Sequence, residues 1–233
     1  GYRKLTSAVH EEGALILAQI NHAGGVARDT GTAAIAPSPV VLRPKLPEPK
    51  EMTQEDIDRI VQAFTEAAVR VKNAGFDGVE IHAAHGYLLN QFYSPLTNHR
   101  ADAYTGSTME GRTRLHTEVI RSVRKAVGDD FIVALRFGAC DYMDGGSDLK
   151  DIPAAARIFE QAGIDLLDVS GGLCTYMVKG RTEPGWFADS SKLAKQAVKI
   201  PVMLTGGIKT GEDAENLLNE QAVDLIDVGR SMM

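Results

Sequence analysis

The chain has 233 residues, of which 44% are hydrophobic and 24% charged, and this composition excludes collagen-like, low-complexity and purely coiled-coil chains. The formal net charge is −6 with no basic block, so we expect neither a nucleic-acid partner nor an anionic membrane surface. The apolar runs are too short to cross a bilayer, and the two cysteines form no metal-type or disulfide pattern, which predicts a cytoplasmic protein.

Six short apolar runs, each bounded by glycine, proline or charged residues, are predicted to be β-strands. Most of them show little alternation of apolar and polar residues, which is typical of strands buried on both faces of a parallel sheet. In chain order the runs are Leu15–Ile20, Gly78–Ile81, Ile132–Phe137, Leu166–Val169, Val202–Leu204 and Leu225–Val228.

Helical patterns precede the first run and separate most of the others. The chain starts with a helix-like stretch over Tyr2–Glu12, and apolar residues recur at helical spacing from Ile57 to Val71. A further helix is predicted over about Ser190–Val198. Four helix starts are predicted at Thr53, at Ser107 with Glu110 as a capping box, at Asp151, and at Thr210 with Asp213. The first and third of these helices are predicted to end at Gly75 and Gly163.

The Pro-rich stretch Ile35 to Lys50 interrupts this alternation of strands and helices. Proline removes a backbone donor and restricts the chain, so the stretch is predicted to be neither a helix nor a central strand. A surface loop is the simplest interpretation. A lid over a site and a contact between copies of a homo-oligomer are the alternatives.

Strands that alternate with helices predict a parallel sheet, either doubly wound or closed into a barrel. Neither a Gly-x-Gly-x-x-Gly nor a Walker-type motif is present, whereas polar and glycine residues cluster after the strand runs. A (β/α)8 TIM barrel is therefore the prediction, as a single domain over residues 1–233. Because only six strands are visible, we expect two further βα units before residue 1 and a continuation beyond the last residue.

The densest group of polar residues follows the second predicted strand and contains His82, His85 and Tyr87. Two imidazoles and a phenol at a strand end can polarise a substrate oxygen and supply a proton, or they can be ordinary hydrogen-bonded loop residues. A metal site is a further reading, but no acidic residue at another strand end obviously completes it. The two histidines converge only if the chain turns after Ile81.

Two polar side chains within apolar strand runs are candidate ligand contacts. Gln19 is either a satisfied core amide or a partner for a planar heterocycle. Arg136 either faces an anion or an electron-rich ligand edge, or pairs with a carboxylate such as Asp141 or Asp168.

The last two strand runs end in Gly206-Gly207 and Gly229-Arg230. Glycines let the backbone approach a ligand and expose its amides, and the arginine adds a fixed positive charge. Two such ends in succession favour a phosphate site, with tight βα turns as the alternative.

Several of these segments together resemble the old yellow enzyme family of NAD(P)H:flavin oxidoreductases. The closest stretches are VEIHAAHGYLLNQF over residues 79–92 and NHRADAY over residues 98–104. The stretch AQINHAG over residues 18–24, Asp168 with the following Val-Ser-Gly-Gly, and Gly229-Arg230 also match. The resemblance implies a (β/α)8 barrel with non-covalent FMN, which NAD(P)H reduces and which then reduces the activated C=C bond of an α,β-unsaturated carbonyl compound.

The resemblance also implies roles for individual residues. For the cofactor, Gln19 is expected at the polar edge of the isoalloxazine and Arg136 at its N1/O2 side. The FMN phosphate is expected to be bound by Gly206, Gly207, Gly229 and Arg230. For catalysis, His82 and His85 are expected to bind the substrate carbonyl, and Tyr87 is expected to donate the proton. No metal is expected. Thr105, Gly111 and Gly25 depart from the family pattern.

Two other classes of function remain open at this point. A non-flavin barrel lyase or aldolase could bind a phosphorylated substrate through the same glycine-rich ends, although no lysine stands at a strand end for Schiff-base chemistry. The other possibility is a fragment that has no activity.

Overall fold

The computed structural model describes residues 1–28, 31–220 and 223–232. Six strands form the central sheet, and they are β1 (Leu17–Ile20), β4 (Gly78–Ala83), β5 (Ile132–Cys140), β6 (Leu166–Gly171), β7 (Val202–Leu204) and β8 (Leu225–Ile226). All are parallel and lie in the order β1-β4-β5-β6-β7-β8. Each predicted run contains a strand. Three of these strands, β4, β5 and β6, extend beyond their predicted ends and carry the chain further toward the candidate site.

The Pro-rich stretch contributes a separate two-stranded ladder of β2 (Ile35–Ala36) and β3 (Lys50–Glu51). The prediction that it is neither a helix nor a central strand is confirmed.

Seven α-helices accompany the strands in the described part of the chain. They are α1 (Tyr2–Glu11), α2 (Gln54–Asn73), α3 (Leu88–Tyr93), α4 (Met109–Val127), α5 (Ile152–Ala162), α6 (Ala188–Ala197) and α7 (Gly211–Asn219). The sequence pattern predicted all of them except α3, whose six residues are all buried. A helix buried on every side has no amphipathic period, and this is why the pattern did not predict it. Within the described residues, no helix has both the length and the apolar character needed to cross a membrane.

Two of the predicted helix starts form as expected. The Thr53 hydroxyl accepts from the amide of Asp56, and the Asp56 carboxylate accepts from the Thr53 amide at 3.0 Å, which closes a capping box. Thr210 and Asp213 form the same arrangement at the start of α7. Gly163 ends α5 in the left-handed conformation with φ +110°, as predicted for a C-terminal glycine.

The other two predicted starts are wrong. Thr108, not Ser107, caps α4 through the amide of Gly111, while the Ser107 hydroxyl lies 2.9 Å from the hydroxyl of Thr105. Asp151 does not cap α5, because its carboxylate accepts from the Asp148 amide and from Arg112 instead. In both cases a competing partner holds the side chain away from the helix end.

The sheet separates an apolar face from a polar one. Ile81, Leu135 and Leu167 are in register on neighbouring strands, and all are fully buried. Because successive side chains in a strand point to opposite faces, the next register row faces the other way. That row contains His82, Arg136 and Asp168. The register of the sheet therefore places three of the candidate polar residues side by side.

Candidate active site

A turn after β4 brings the two histidines together. β4 ends at Ala83, and His85 then adopts the left-handed conformation with φ +60°. Its amide donates to the Gly171 carbonyl at 3.1 Å, and its Nε2 lies 2.7 Å from the Ser170 hydroxyl. The rings of His82 and His85 meet edge to face with their centroids 5.0 Å apart. The sequence predicted that the two histidines would converge only if the chain turned after Ile81. The structure has such a turn, and the two side chains meet.

Both imidazoles are neutral near neutral pH. Burial lowers the pKa of His82 to about 3, with further contributions from His85 and Arg136. Burial, followed by the Arg136 charge, lowers the pKa of His85 to about 4. His82 Nδ1 is buried and has no hydrogen-bond partner in the described part of the chain. The pair can therefore offer ring N–H groups to an oxygen atom of a ligand without carrying a charge of its own.

Tyr87 stands at the start of α3, next to the histidines. Its ring packs edge to face on His82 at 5.2 Å between centroids. The residue is half-buried, and its hydroxyl has no hydrogen-bond partner among the described residues. Side chains of α3 hold the preceding turn, because Asn90 Oδ1 accepts from the Gly86 amide at 2.8 Å and Gln91 Nε2 donates to the Gly86 carbonyl at 2.7 Å. The phenol is thus held on a rigid element with a free hydroxyl.

Arg136 lies at the centre of a group of carboxylates. Its Nη1 is 3.0 Å from Asp168 and 3.1 Å from Asp227. Burial raises the pKa of Asp168 well above its usual range, against the opposing charge of Arg136. Burial likewise raises the pKa of Glu80. Although Asp168 is within ion-pair distance, neither of its oxygens accepts a well-aligned hydrogen bond in the described residues, so charge attraction dominates this contact.

The pairing predicted for Arg136 is confirmed for Asp168 and wrong for Asp141. The Asp141 carboxylate is buried and accepts from the Ser94 hydroxyl at 2.6 Å and from the amides of Ser147 and Leu173. It therefore holds the loops after β5 and β6 and is not available to the arginine. Asp227, which does contact Arg136, was not predicted because it lies 91 residues further along the chain.

A cavity of about 820 Å³ opens at the carboxyl ends of β5 to β8. Five of the predicted cofactor residues line it, namely Arg136, Gly206, Gly207, Gly229 and Arg230. Residues that the sequence did not single out also line it, including Tyr176, Trp186, Lys209 and Asp227. Trp186 could have been noticed as the single tryptophan of the chain, and Lys209 as a cation just after the Gly-Gly turn.

Gln19 does not line this cavity. It is exposed on β1, which pairs only with β4 among the described residues, and its amide donates to Glu80 at 2.5 Å. The prediction of a buried amide is wrong because this edge strand lacks a second neighbour in the described sheet. Glu80 nevertheless connects Gln19 to the charged group around Arg136.

The glycine-rich end of the cavity has the donors that a phosphate needs. Gly206 and Gly207 have φ of +115° and +71°, and the amides of Gly206, Gly207, Gly229 and Arg230 donate to no other group in the described chain. The guanidinium of Arg230 lies 5.3 Å from the centroid of the Tyr176 ring. Free amides beside a fixed cation suit a phosphate monoester.

Arg136, which also lines the cavity, offers a different donor. Arg136 Nε is buried without a hydrogen-bond partner in the described residues. An acceptor on the edge of a polar heterocycle would satisfy it. The free amides with Arg230, and the unpaired Arg136 donor, together fit FMN, which carries a phosphate and a heteroaromatic ring with acceptor atoms.

Metal ligands and nucleophilic side chains are the other groups that could act at these strand ends. No group of three or more His, Cys, Asp or Glu that could hold a metal ion occurs within residues 1–28, 31–220 and 223–232. Burial raises the pKa of the Cys140 thiol to about 11 and that of the Cys174 thiol to about 12, so both are poor nucleophiles near neutral pH. Lys209 lines the cavity but is exposed and lies five residues beyond the end of β7.

Comparison with known proteins gives a consistent result. A family model described as the NADH:flavin oxidoreductase / NADH oxidase family matches residues 1–233. An NADH oxidase of Thermoanaerobacter brockii is 40% identical over 242 residues, which cover 100% of this chain and 37% of that protein. A metal reductase of Desulforamulus reducens is 41% identical over 238 residues, covering 100% of this chain and 36% of that protein. An NADPH dehydrogenase of Geobacillus thermodenitrificans is 41% identical over 236 residues, covering 100% of this chain and 67% of that protein.

The chain thus spans little more than a third of the first two of these relatives. Among solved structures, 2-naphthoyl-CoA reductase in complex with 2-naphthoyl-CoA has a TM-score of 0.88 and 28% identity over 97% of this chain and 37% of that one. A morphinone reductase variant in complex with tetrahydroNAD has a TM-score of 0.80 and 26% identity over 97% of this chain and 65% of that one. The predicted barrel-type α/β fold is confirmed.

Proposed function

Because the chain belongs to the NADH:flavin oxidoreductase / NADH oxidase family, we propose that the protein binds FMN and uses NAD(P)H to reduce the activated C=C bond of α,β-unsaturated carbonyl compounds. The observation that carries the proposal is the meeting of Arg136 with the glycine-rich ends of β7 and β8 in one cavity. The register of β4 and β5 places His82 beside Arg136. FMN, when bound, supplies the hydride transfer that none of these side chains can perform.

The chain's own residues hold the two ends of the cofactor in this proposal. The free amides at Gly206, Gly207 and Gly229, together with Arg230, bind the phosphate. Arg136 donates to the edge of the heterocycle, and its positive charge is paired with the nearby carboxylates of Asp168 and Asp227. Gln19 lies outside this cavity and donates to Glu80, so no cofactor contact is assigned to it here.

The histidine pair binds and polarises the substrate carbonyl. Since both imidazoles are neutral, they stabilise negative charge on that oxygen by hydrogen bonding, and the buried surroundings strengthen this interaction. Neutral rings also avoid placing two more positive charges beside Arg136. Tyr87, with a hydroxyl free of other partners, donates the proton to the carbon next to the carbonyl.

The test begins with the absorption spectrum of the purified protein, which should show flavin bands near about 450 nm. Anaerobic addition of NADH or NADPH should bleach these bands, and 2-cyclohexenone should restore them. Cyclohexanone, which lacks the C=C bond, is the matched control and should not. His82→Asn should slow the return of the bands with the enone while leaving the bleaching step unchanged.

Each outcome separates a different part of the proposal. A protein that binds no FMN would contradict the proposed function and would favour a lyase or aldolase acting on a phosphorylated substrate. Bleaching that 2-cyclohexenone does not reverse would contradict the substrate class and leave the flavin oxidoreductase assignment.

A further inference from the structure

Trp186 packs directly against the glycine turn at the end of β7. It lies in the loop between β6 and α6, and a Cβ atom placed on Gly207 would stand 2.6 Å from both Nε1 and Cε2 of the indole. Real Cβ atoms do not approach other heavy atoms this closely. The indole therefore occupies the space that any larger residue at position 207 would need.

The backbone around Trp186 also orients the turn. The amides of Gly185 and Trp186 donate to the same Gly206 carbonyl, at 2.8 and 3.1 Å. In a planar trans peptide the C=O of one residue and the N–H of the next point in opposite directions. The Gly207 N–H must therefore point away from the Gly185–Trp186 segment, and Gly207 itself lines the cavity.

The indole N–H of Trp186 lacks a hydrogen-bond partner among the described residues. Its Nε1 is buried, while Trp186 lines the same cavity as Lys209 and Arg230. An indole nitrogen can only donate, and a buried donor without a partner is destabilising. A ligand oxygen at this end of the cavity would remove that cost.

We propose that Trp186 binds and positions the ligand phosphate. Its backbone amide, with that of Gly185, turns the Gly207 amide toward the cavity, and its indole N–H donates a further hydrogen bond to a phosphate oxygen. Loop contacts hold it in place, because Arg181 donates to the Trp186 carbonyl at 2.5 Å and to the Asp189 carboxylate at 2.6 Å. This inference rests on the proposed function, since the phosphate in question is that of FMN.

The experiment compares FMN with riboflavin, which lacks the phosphate. Flavin is removed from the purified protein, and each ligand is titrated back while flavin fluorescence is recorded. Trp186→Phe keeps an aromatic ring against Gly207 but removes the N–H. It should weaken FMN binding by about tenfold to a hundredfold, the usual effect of losing one hydrogen bond to a charged group, and leave riboflavin binding unchanged.

Tyr142→Phe is the matched control. The Tyr142 hydroxyl donates to Asp189 at 2.7 Å, so its loss loosens the same loop without touching the indole. It should leave the ratio of FMN to riboflavin affinity unaltered. An unaltered ratio in Trp186→Phe, or an equal change in Tyr142→Phe, would overturn the inference.

A second measurement needs neither flavin nor a variant. Trp186 is the single tryptophan, so the intrinsic fluorescence of the flavin-free protein reports on this site alone. Inorganic phosphate should change that emission saturably, and sodium chloride at equal ionic strength should not. No response to phosphate overturns the inference. A response to phosphate in a protein that does not bind FMN supports the phosphate site while contradicting the proposed function.

Discussion

Replacement of His82 by asparagine should make the protein less sensitive to acid. In the folded protein the pKa of His82 is lowered from 6.5 to about 3, chiefly by burial. Between about pH 3 and pH 6.5, the imidazole is therefore protonated in the unfolded chain but neutral in the folded one. The contribution of neutral His82 to stability is complete above about pH 6.5 and is lost progressively as the pH falls toward 3. Asparagine keeps a polar side chain of similar reach but does not titrate.

The size of the effect follows from the two pKa values. At pH 5 the solution is 1.5 pH units below the unfolded value of 6.5 and still well above the folded one. Each unit corresponds to about 1.36 kcal/mol, so the free energy of unfolding of the wild-type protein should fall by about 2 kcal/mol more than that of His82→Asn between pH 7.5 and pH 5. The raised pKa values of Glu80 and Asp168 act in the opposite direction, but they are present in both proteins.

Urea denaturation followed by far-ultraviolet circular dichroism at the two pH values measures this difference. Val79→Ala is the control, because it removes buried apolar contacts on the same strand without changing a titrating group, and it should lower stability equally at both pH values. Equal pH dependence in the wild-type protein and His82→Asn would refute the reasoning. It would mean that the imidazole takes up its proton in the folded state.

Three further predictions follow from the site and the sheet. Tyr87→Phe should slow re-oxidation of the holoenzyme by 2-cyclohexenone about 10²–10⁴-fold in stopped-flow measurements and leave flavin reduction by NAD(P)H nearly intact. Gly24→Ala should lower the free energy of unfolding by about 1–3 kcal/mol in urea, since Gly24 has φ +61° and a Cβ there would lie 2.9 Å from the Leu88 Cα. A polypeptide of residues 1–233 alone should self-associate in light scattering or unfold without a sharp transition, because β1 and β8 each have one neighbour in the described sheet.

Each of these three predictions has a control variant or a result that would contradict it. Equal slowing of both half-reactions by Tyr87→Phe would show that the phenol is structural, and Tyr2→Phe, at an exposed tyrosine of α1, should change neither. Gly128→Ala carries similar backbone strain at φ +78° with open space around the new methyl group, so it should cost less than Gly24→Ala. A monomeric chain of residues 1–233 with a cooperative transition would show that the open edges are tolerated.

The secondary structure was predictable because it depends on short-range features. Continuous apolar runs mark the buried strands, and Thr53 with Asp56 or Gly163 mark helix ends through contacts within one turn. The candidate catalytic residues were also visible, since His82, His85 and Tyr87 stand within six residues of one another. The resemblance to a flavin oxidoreductase family depended on the same local motifs.

The strands, most helices and the residue types at the strand ends follow from local sequence patterns. Which residues meet depends on the three-dimensional fold, because those contacts are set by strand register and by turns between distant segments. Asp227 reaches Arg136 from 91 positions away, whereas Asp141, only five positions from Arg136, is taken by Ser94 and two loop amides. Trp186 is conspicuous as the single tryptophan, but no local pattern shows that its indole lies unpaired beside the Gly207 turn among the described residues, since α6 and β7 separate the two loops.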